Sequence, residues 1–285
     1  NLSYCNFTYN IDKKNKSNFH LNLITGHLKK DNIKLINYKS KKLKNKLISN
    51  GAKKIICLFD EGSVDSRWCN GKGHDFFREN YSKTLQAVLN NRDLGLIIKP
   101  KKSFDFVKKT LGSVFELYLE AIKTKRVFFL ENKESDTYSN YHPLYAALAS
   151  DLTIHSHLIA GTAGIESALE QIPTILINRE NDYTNKLCEL PKNKIVFENW
   201  DNALEASNEF LFKKNNANEF GNWSKYIGEY DPFMDNNGAL RIKEVIENSL
   251  SLFDRKYSSK EVILKIAEEY SAKYGKDKVF KNFNF

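Results

Sequence analysis

The sequence has 285 residues, a formal net charge of +9 at pH 7 and a hydrophobic fraction of 41%. A chain of this length and composition can bury a substantial core, which argues against intrinsic disorder, and no apolar stretch approaches the roughly 20 residues that span a bilayer. Lysines crowd residues 13–54 and 256–281 without forming a recognisable DNA- or RNA-binding motif, so nucleic-acid binding is not expected. The positive charge suits an anionic nucleotide ligand or an anionic membrane surface.

The cysteines predict a reducing environment. Cys5, Cys57, Cys69 and Cys188 are widely spaced and form no Cys-x-x-Cys pair, which is typical of reduced thiols. No charged and then apolar leader follows Asn1, and we do not expect Asn1 to be the natural start of the protein. We therefore expect a cytoplasmic protein that is at most peripheral at the inner membrane.

Along the chain, the hydrophobic pattern changes near Gly51. Residues 1–50 are polar and show no clear period, so we interpret them as the end of an acceptor-side N-terminal domain or as a linker. Beyond them, short apolar runs alternate with helical patterns. The predicted strands are 54–59, 94–98, 126–130, 152–154, 174–177 and 194–197. The predicted helices are 76–90, 104–122, 144–150, 165–170, 201–212, 239–253 and 260–274.

This alternation predicts an α/β fold with a doubly wound, mainly parallel sheet over residues 51–250, followed by a helical tail over residues 251–285. Ligands of such sheets bind at the carboxyl ends of the strands. The loops 60–67, 99–102 and 155–164 each follow a predicted strand. We therefore expect these three loops to meet at one edge of the sheet.

The segment Ser150–Asn178 has the pattern of a strand, a small-residue turn, a helix and a strand. Its turn, Gly161-Thr162-Ala163-Gly164, would let backbone approach a ligand closely, and the helix that follows offers free amide groups and the positive end of its dipole. A phosphate could be held there, with hydroxyls from Ser156 and Thr162, while Glu166 accepts a hydrogen bond from a ribose or sugar hydroxyl. The same residues also fit an ordinary helix-capping turn in which Glu166 only complements the dipole.

The run Gly161-Thr162-Ala163-Gly164-Ile165-Glu166, between Ser150-Asp151-Leu152-Thr153-Ile154 and Ile172-Pro173-Thr174, resembles the donor-binding half of GT-B glycosyltransferases. It is similar in particular to the Kdo transferases of capsule and lipopolysaccharide synthesis and to bacterial sialyltransferases. The similarity covers roughly residues 51–250. It implies a Rossmann-like domain in which this segment holds the phosphate and ribose of the donor.

Other site residues follow from the same resemblance. Asp60-Glu61-Gly62 is similar to the motif that supplies the catalytic carboxylate in bacterial sialyltransferases, although that motif lies in their N-terminal half. Lys99-Pro100 stands where those families place a His-Pro pair, and Lys99 with Lys101 would supply positive charge to the phosphate. His155 is expected to face the donor. The actual His-Pro pair, His142-Pro143, fits a proline in the first turn of a helix.

The resemblance implies a transferase that moves a sugar from a nucleotide-activated donor, with a CMP-linked ulosonic acid such as Kdo or sialic acid as the first candidate. The acceptor would be a bacterial surface glycan, free or lipid-linked. No metal-ligand spacing and no Asp-x-Asp motif occurs in the sequence, so no metal or other cofactor is expected. A CDP-polyol phosphotransferase, a UDP-sugar 2-epimerase and a non-catalytic nucleotide-binding module remain as alternatives.

Overall fold

The structure, a computed structural model, describes residues 1–16, 19–28, 33–60, 73–130, 141–158, 161–179, 185–213 and 218–282. The chain divides into two compact units, one formed by Asn1–Asp31 with Lys225–Phe285 and the other by Asn32–Ser224. We call them the split unit and the sheet unit. Their boundaries differ from those of the predicted domains 1–50, 51–250 and 251–285, because two helices pack into units other than the predicted ones.

The strands, in chain order, are β1 (Leu2–Ser3), β2 (Leu21–Ile24), β3 (Lys54–Phe59), β4 (Leu94–Lys99), β5 (Val127–Phe129), β6 (Leu152–His155), β7 (Thr174–Ile177), β8 (Val196–Phe197) and β9 (Val279–Lys281). The helices are α1 (Asn6–Lys14), α2 (Ile33–Ser49), α3 (Gly73–Asn90), α4 (Phe104–Leu111), α5 (Val114–Lys123), α6 (Pro143–Ala147), α7 (Thr162–Leu169), α8 (Trp200–Asn208), α9 (Gly238–Asp254) and α10 (Ser259–Tyr274). None of the helices in the described ranges is both long and apolar enough to cross a membrane.

The sheet unit contains six strands in the order β5-β4-β3-β6-β7-β8, and all neighbouring pairs are parallel. Side chains alternate along β3: Ile55 and Cys57 join one core cluster, and Ile56 and Leu58 join the other. Residues of α2 and α6 complete the first cluster, and residues of α3, α5 and α8 complete the second. The predicted α/β class, with a parallel sheet covered on both faces, is confirmed.

Helix α2 is not predicted by the hydrophobic pattern, and its buried face shows why. Leu43 and Leu47 are buried in the core, but Ser40 occupies the buried position one turn before them. The Ser40 hydroxyl donates to the carbonyl of Ile36 at 2.7 Å and to that of Tyr145 at 2.9 Å, so its polarity is satisfied. The expectation that residues 33–50 belong to another domain or a linker is corrected, because this helix packs into the core of the sheet unit.

The predicted helix 104–122 is two helices in the structure. Gly112 ends α4 with φ at +56°, a backbone conformation that glycine adopts without steric cost, and α5 starts two residues later. Most other predicted boundaries differ from the observed ones by one to three residues, and β3 and β7 begin and end where predicted. His142 precedes α6 as its N-cap, with Pro143 in the first turn, so that interpretation is confirmed.

The split unit has a three-stranded sheet in the order β1-β2-β9, with β1 parallel and β9 antiparallel to β2. Leu23 of β2 shares a core cluster with Leu252 of α9 and with Val262, Ile266 and Tyr270 of α10. Because α9 contributes to this core, residues 238–250 belong with the split unit and not with the predicted 51–250 domain.

At the amino ends of the strands in the sheet unit, two charged side chains bind backbone. Arg126 donates to the carbonyls of Asn91 at 2.8 Å, Leu94 at 2.5 Å and Val88 at 3.1 Å. Asp151 accepts a hydrogen bond from the Ile55 amide at 2.8 Å. These contacts satisfy backbone groups at this edge of the sheet, whereas ligands of open parallel sheets bind at the opposite edge.

Candidate functional site

The carboxyl ends of β3, β4 and β6 meet at one edge of the parallel sheet. In the register of the sheet, Phe59 at the end of β3 lies beside Lys99 of β4 on one side and beside His155 of β6 on the other. Asp60 follows directly, and its amide donates to the carbonyl of Lys99 at 3.2 Å. The predicted meeting of the three loops is confirmed for the described residues. Glu61 and the rest of the 60–67 loop lie outside the described residues.

The strand order places a crevice between β3 and β6. Counted within the sheet unit alone, the order is 3-2-1-4-5-6, which is the order of dinucleotide-binding folds. The chain leaves β3 toward β4 on one side, whereas it leaves β6 toward β7 on the other. In open parallel sheets this reversal opens a crevice outside the carboxyl ends of the two central strands. Asp60 and the residues after β6 lie at that crevice.

Asp60 is a buried carboxylate with a fixed orientation. Its side chain is 3% exposed, and the Tyr81 hydroxyl of α3 donates to its Oδ2 atom at 2.8 Å. Burial, together with the negative charge of Asp60, raises the pKa of Tyr81 well above its ordinary value, so this hydroxyl keeps its proton. Tyr81 was not among the predicted site residues, because twenty-one residues separate it from Asp60 in the sequence.

Lys99 is the last residue of β4, and Lys101 follows the strand. Lys99 is 7% exposed, and its ammonium donates to the Pro100 carbonyl at 2.8 Å. Burial raises the pKa of the neighbouring Cys57 thiol, and the charge of Lys99 opposes that rise only in part. Lys101, in the turn that follows, is exposed. The crevice therefore has a buried carboxylate on β3 and a buried ammonium one strand away.

The residues at the end of β6 are enclosed. His155 is fully buried, and its Nδ1 atom lies 2.6 Å from the carbonyl oxygen of His157. Ser156 is also fully buried, and its hydroxyl donates to the carbonyl of Phe59 at 3.1 Å. In the structure both side chains form hydrogen bonds with backbone carbonyls of the protein. Their predicted contact with a donor stays a prediction.

Helix α7 begins at the crevice, immediately after the turn that follows β6. Gly161 is its N-cap, and the first backbone bond runs from Ile165 to the Gly161 carbonyl at 2.9 Å. The amides from Thr162 to Gly164 therefore precede that first bond and lie at the positive end of the helix dipole. Thr162 is exposed and Ala163 and Glu166 are half-buried. The arrangement places backbone N–H groups where an anion could accept from them, and the predicted binding of a phosphate there stays a prediction.

The reason for the glycines differs from the predicted one. A Cβ atom on Gly161 would lie 2.5 Å from Cδ1 of Leu187, a buried side chain. A Cβ atom on Gly164 would lie 3.1 Å from Cδ2 of Leu176 on β7. Both glycines are thus explained by close packing of the helix start within the protein. The expectation that Gly161 allows backbone to approach a ligand is not needed to explain its presence.

A cluster around Arg179 was missed by sequence reasoning. Arg179 follows β7, and its guanidinium pairs with Glu79 and donates to Asn80 at 2.6 Å and to the carbonyl of Phe76 at 3.2 Å, all on α3. The side chain of Arg179 is 6% exposed. The one available signal was a charged residue two positions after a buried strand, at the edge where ligands bind.

Within the described ranges, no group of three or more His, Cys, Asp or Glu residues could hold a metal ion. The described part of the site offers the amino end of a helix, two lysines and an oriented carboxylate. These groups can bind a phosphate and accept a proton beside it.

Comparison with protein-family models and with curated protein sequences finds no match. Among solved structures, the chain is similar to Anabaena HepE (Alr3699) in complex with UDP and glucose, with 15% identity and a TM-score of 0.48 over 86% of this chain and 62% of that one. It is also similar to S. aureus MnaA in a co-structure with UDP, with 14% identity and a TM-score of 0.44 over 81% of this chain and 55% of that one. The chain thus spans less than two thirds of the length of either structure.

Proposed function

We propose that the carboxyl edge of the parallel sheet binds a nucleotide-activated sugar and that the protein is a glycosyltransferase. The observation that carries the proposal is the strand order, because it brings the amino end of α7 to the crevice between β3 and β6. Backbone amides and the helix dipole favour a phosphate at such a position. A nucleotide-linked sugar is a ligand whose phosphate, ribose and sugar can each find a partner along this edge.

In this proposal the donor phosphate lies at the start of α7. The amides of residues 162–164 hold its oxygens, and the exposed Thr162 hydroxyl donates one further hydrogen bond. Lys99 at the end of β4 and Lys101 after it lower the electrostatic cost of the charge from two strands away, across β3. Glu166, one turn along the helix, accepts a hydrogen bond from a hydroxyl of the ribose or of the sugar.

Transfer requires the bond between the anomeric carbon and the phosphate oxygen to break, with the electron pair leaving on the phosphate. The helix dipole and the lysines stabilise the negative charge that develops there. The acceptor hydroxyl forms the new bond to the anomeric carbon and loses its proton to a base. Among the described residues, Asp60 is the candidate base, since it is a carboxylate at the carboxyl edge of the sheet and the Tyr81 hydroxyl orients it.

The finer proposal concerns the donor, the acceptor and the location. A CMP-linked ulosonic acid, such as Kdo or sialic acid, transferred to a surface glycan or a lipid-linked glycan in the bacterial cytoplasm, is supported by the resemblance of the Gly161–Glu166 run to the enzymes that use these donors. Lys99 in place of their histidine still provides a positive charge for the phosphate.

Binding is tested by thermal shift and calorimetry with CMP, CDP, UDP, GDP and their sugars. A ligand at 100 times its dissociation constant adds about 2.7 kcal/mol of stability. The variant Thr162→Val should weaken nucleotide binding about tenfold without changing the melting temperature of the free protein, because one hydrogen bond to a charged group is lost. Ser113→Val, at the exposed start of α5, is the matched control and should bind as the wild type does.

If no nucleotide or nucleotide sugar binds, the proposal is wrong. If UDP-sugars bind in place of CMP-sugars, only the cytidine preference is wrong. An unchanged affinity in Thr162→Val would contradict the placement of the phosphate on α7.

Turnover is tested by following nucleotide release in the presence of a glycan acceptor. Asp60→Asn keeps an acceptor for the Tyr81 hydroxyl, so it should bind the donor normally yet transfer at least 100-fold more slowly, as expected for the loss of a general base. Asp93→Asn, on an exposed pair with Lys53, is the control and should keep full activity. Consumption of a UDP-sugar without an acceptor would point to an epimerase, and binding without turnover to a non-catalytic module.

A further inference from the structure

Helix α2 has an unusual charge distribution. Its seventeen residues include six lysines and no aspartate or glutamate. One side of the helix packs into the sheet unit through Ser40, Leu43 and Leu47. The opposite side is exposed to solvent, so this helix presents a basic face that no carboxylate of its own compensates.

The five lysines of α2 whose side chains the structure describes fall into two groups. Lys44 pairs with Asp151 at 2.8 Å, and the Lys46 ammonium lies 4.9 Å from the centre of the Phe128 ring. Lys39, Lys41 and Lys42 are exposed, and no described carboxylate lies within ion-pairing distance of them. These three ammonium groups are available to an external anionic partner.

Large apolar side chains lie on the same exposed side. Tyr38 is 67% exposed and Leu35 is 50% exposed, and with Lys42 they follow the spacing i, i+3, i+7 that places residues on one face of a helix. A phosphate-rich polymer would gain little from an exposed leucine. Lysines interleaved with apolar and aromatic side chains are instead the pattern of helices that lie in the headgroup region of anionic membranes.

We propose that the outward face of α2, formed by Leu35, Tyr38, Lys39, Lys41 and Lys42, docks the protein on an anionic lipid bilayer. The ammonium groups bind lipid phosphates while the Leu35 and Tyr38 side chains enter the headgroup boundary. This inference does not depend on the proposed transferase activity. It would bring any lipid-linked substrate close to the protein without a membrane-spanning segment.

The size of the effect follows from the charge. Each lysine near an anionic surface increases the partition coefficient about fivefold, so the three unpaired lysines together are expected to contribute on the order of a hundredfold. The contribution is electrostatic, and salt near 0.5 M should therefore remove most of it.

The test is co-sedimentation of the full chain with vesicles of phosphatidylcholine alone or with about 30% phosphatidylglycerol. We expect binding only to the anionic vesicles. The triple variant Lys39→Gln, Lys41→Gln, Lys42→Gln should lose on the order of a hundredfold in partitioning. The matched variant Lys109→Gln, Lys123→Gln, Lys256→Gln removes the same charge from other exposed positions and should lose less than about fivefold.

A second pair of measurements separates lipid from other polyanions. Leu35→Ser with Tyr38→Ser keeps every charge and should reduce vesicle binding several-fold, while circular dichroism shows an unchanged helix content. Equal losses in the two lysine triples, absence of binding to anionic vesicles, or salt-sensitive binding to RNA in place of vesicles would each overturn the proposal.

Discussion

Two buried arginines, Arg179 in the sheet unit and Arg241 in the split unit, each connect a helix to a non-helical segment. Both make the same three kinds of contact. Each guanidinium stacks on a phenylalanine ring, pairs with one carboxylate and donates to a backbone carbonyl. Arg179 lies 4.4 Å from the centre of the Phe76 ring, and Arg241 lies 3.5 Å from that of Phe233. Burial of a guanidinium is tolerated in both places because a carboxylate meets its charge and oxygen atoms accept hydrogen bonds from its two Nη groups.

The two clusters differ in what they are connected to. Asn80 accepts from Arg179 at 2.6 Å and also from the indole of Trp200 at 3.0 Å, so the first cluster joins β7, α3 and α8. Arg241 pairs with Asp235 and donates to the Thr25 carbonyl at 3.0 Å, which joins α9 to two segments of its own unit. The first cluster therefore supports the edge of the candidate site, and the second stabilises the split unit alone.

The largest expected effect is the loss of either guanidinium. Arg179→Ala and Arg241→Ala should each lower the free energy of unfolding by about 3 kcal/mol, because each leaves a carboxylate and buried acceptors without a partner. Urea unfolding followed by circular dichroism measures this. Arg92→Ala, at an exposed position, should change stability by less than about 0.5 kcal/mol.

Tryptophan fluorescence of the folded protein distinguishes the loss of Arg179 from the loss of Arg241. The two tryptophans that the structure describes, Trp200 and Trp223, lie in the sheet unit, and Trp200 shares Asn80 with Arg179. Arg179→Ala should therefore shift the emission of the folded protein, whereas Arg241→Ala should leave it unchanged. A shift in Arg241→Ala would show that the two clusters are not separate.

Replacement of the phenylalanine rings should have a smaller effect on the free energy of unfolding. Phe233→Leu should cost about 1 kcal/mol more than Phe106→Leu, because the former loses a close cation–π contact and the latter faces a lysine at 6.0 Å. Phe76→Leu, with a longer ring distance, should fall between them. The three variants are compared by urea unfolding under one set of conditions. Equal losses in all three would mean that ring packing, and not the guanidinium, sets the cost.

The smallest expected effect is a loss of stability at low pH. Burial tends to raise the pKa of Asp235, but hydrogen bonds from Arg241 and Asn237 outweigh it and hold that pKa below its ordinary value of 3.8. The resulting stability is fully present above pH 3.8 and is lost as the pH falls through the lower folded-state pKa. Since Asp235 is 38% exposed, we expect less than about 1 kcal/mol.

Melting temperatures measured between about pH 5 and pH 2.5 check this acid effect. Asp235→Asn should show a smaller loss of stability in acid than the wild type. In Arg241→Ala the carboxylate has lost its main partner, so the contribution of Asp235 to the acid loss should shrink there as well. Identical acid profiles in all three proteins would contradict the assignment.

Sequence separation explains what could be predicted. Asp235 lies only six residues before Arg241, so their contact is local in the sequence. Glu79 lies 100 residues before Arg179, and no local pattern connects them. Periodicity likewise placed β3 and the start of the crevice, because a run of buried residues is a local property.

Packing between distant residues explains what could not be predicted. The sequence suggests that Gly161 contacts a ligand, whereas the structure shows that Leu187 leaves no room for a Cβ atom there. Helix α2 lacks a clear hydrophobic period because the polar residue Ser40 occupies one of its buried positions. Both facts depend on contacts made only in the folded chain. The resemblance to donor-binding domains correctly predicted a parallel sheet with a helix starting at the crevice, but it did not predict the buried state of His155 and Ser156.

The three hydrogen bonds of Arg126 have a consequence for the dynamics of α3. They hold the carbonyls of Val88 and Asn91 at the carboxyl end of this helix, where a positive charge also complements the dipole. Opening of the last turn must break these bonds, whereas the first turn near Gly73 is held by no such bonds to Arg126. We therefore expect slow amide hydrogen exchange near Val88. The guanidinium of Arg126 thus protects the carboxyl end of the helix that carries Tyr81 and Asn80 against local opening.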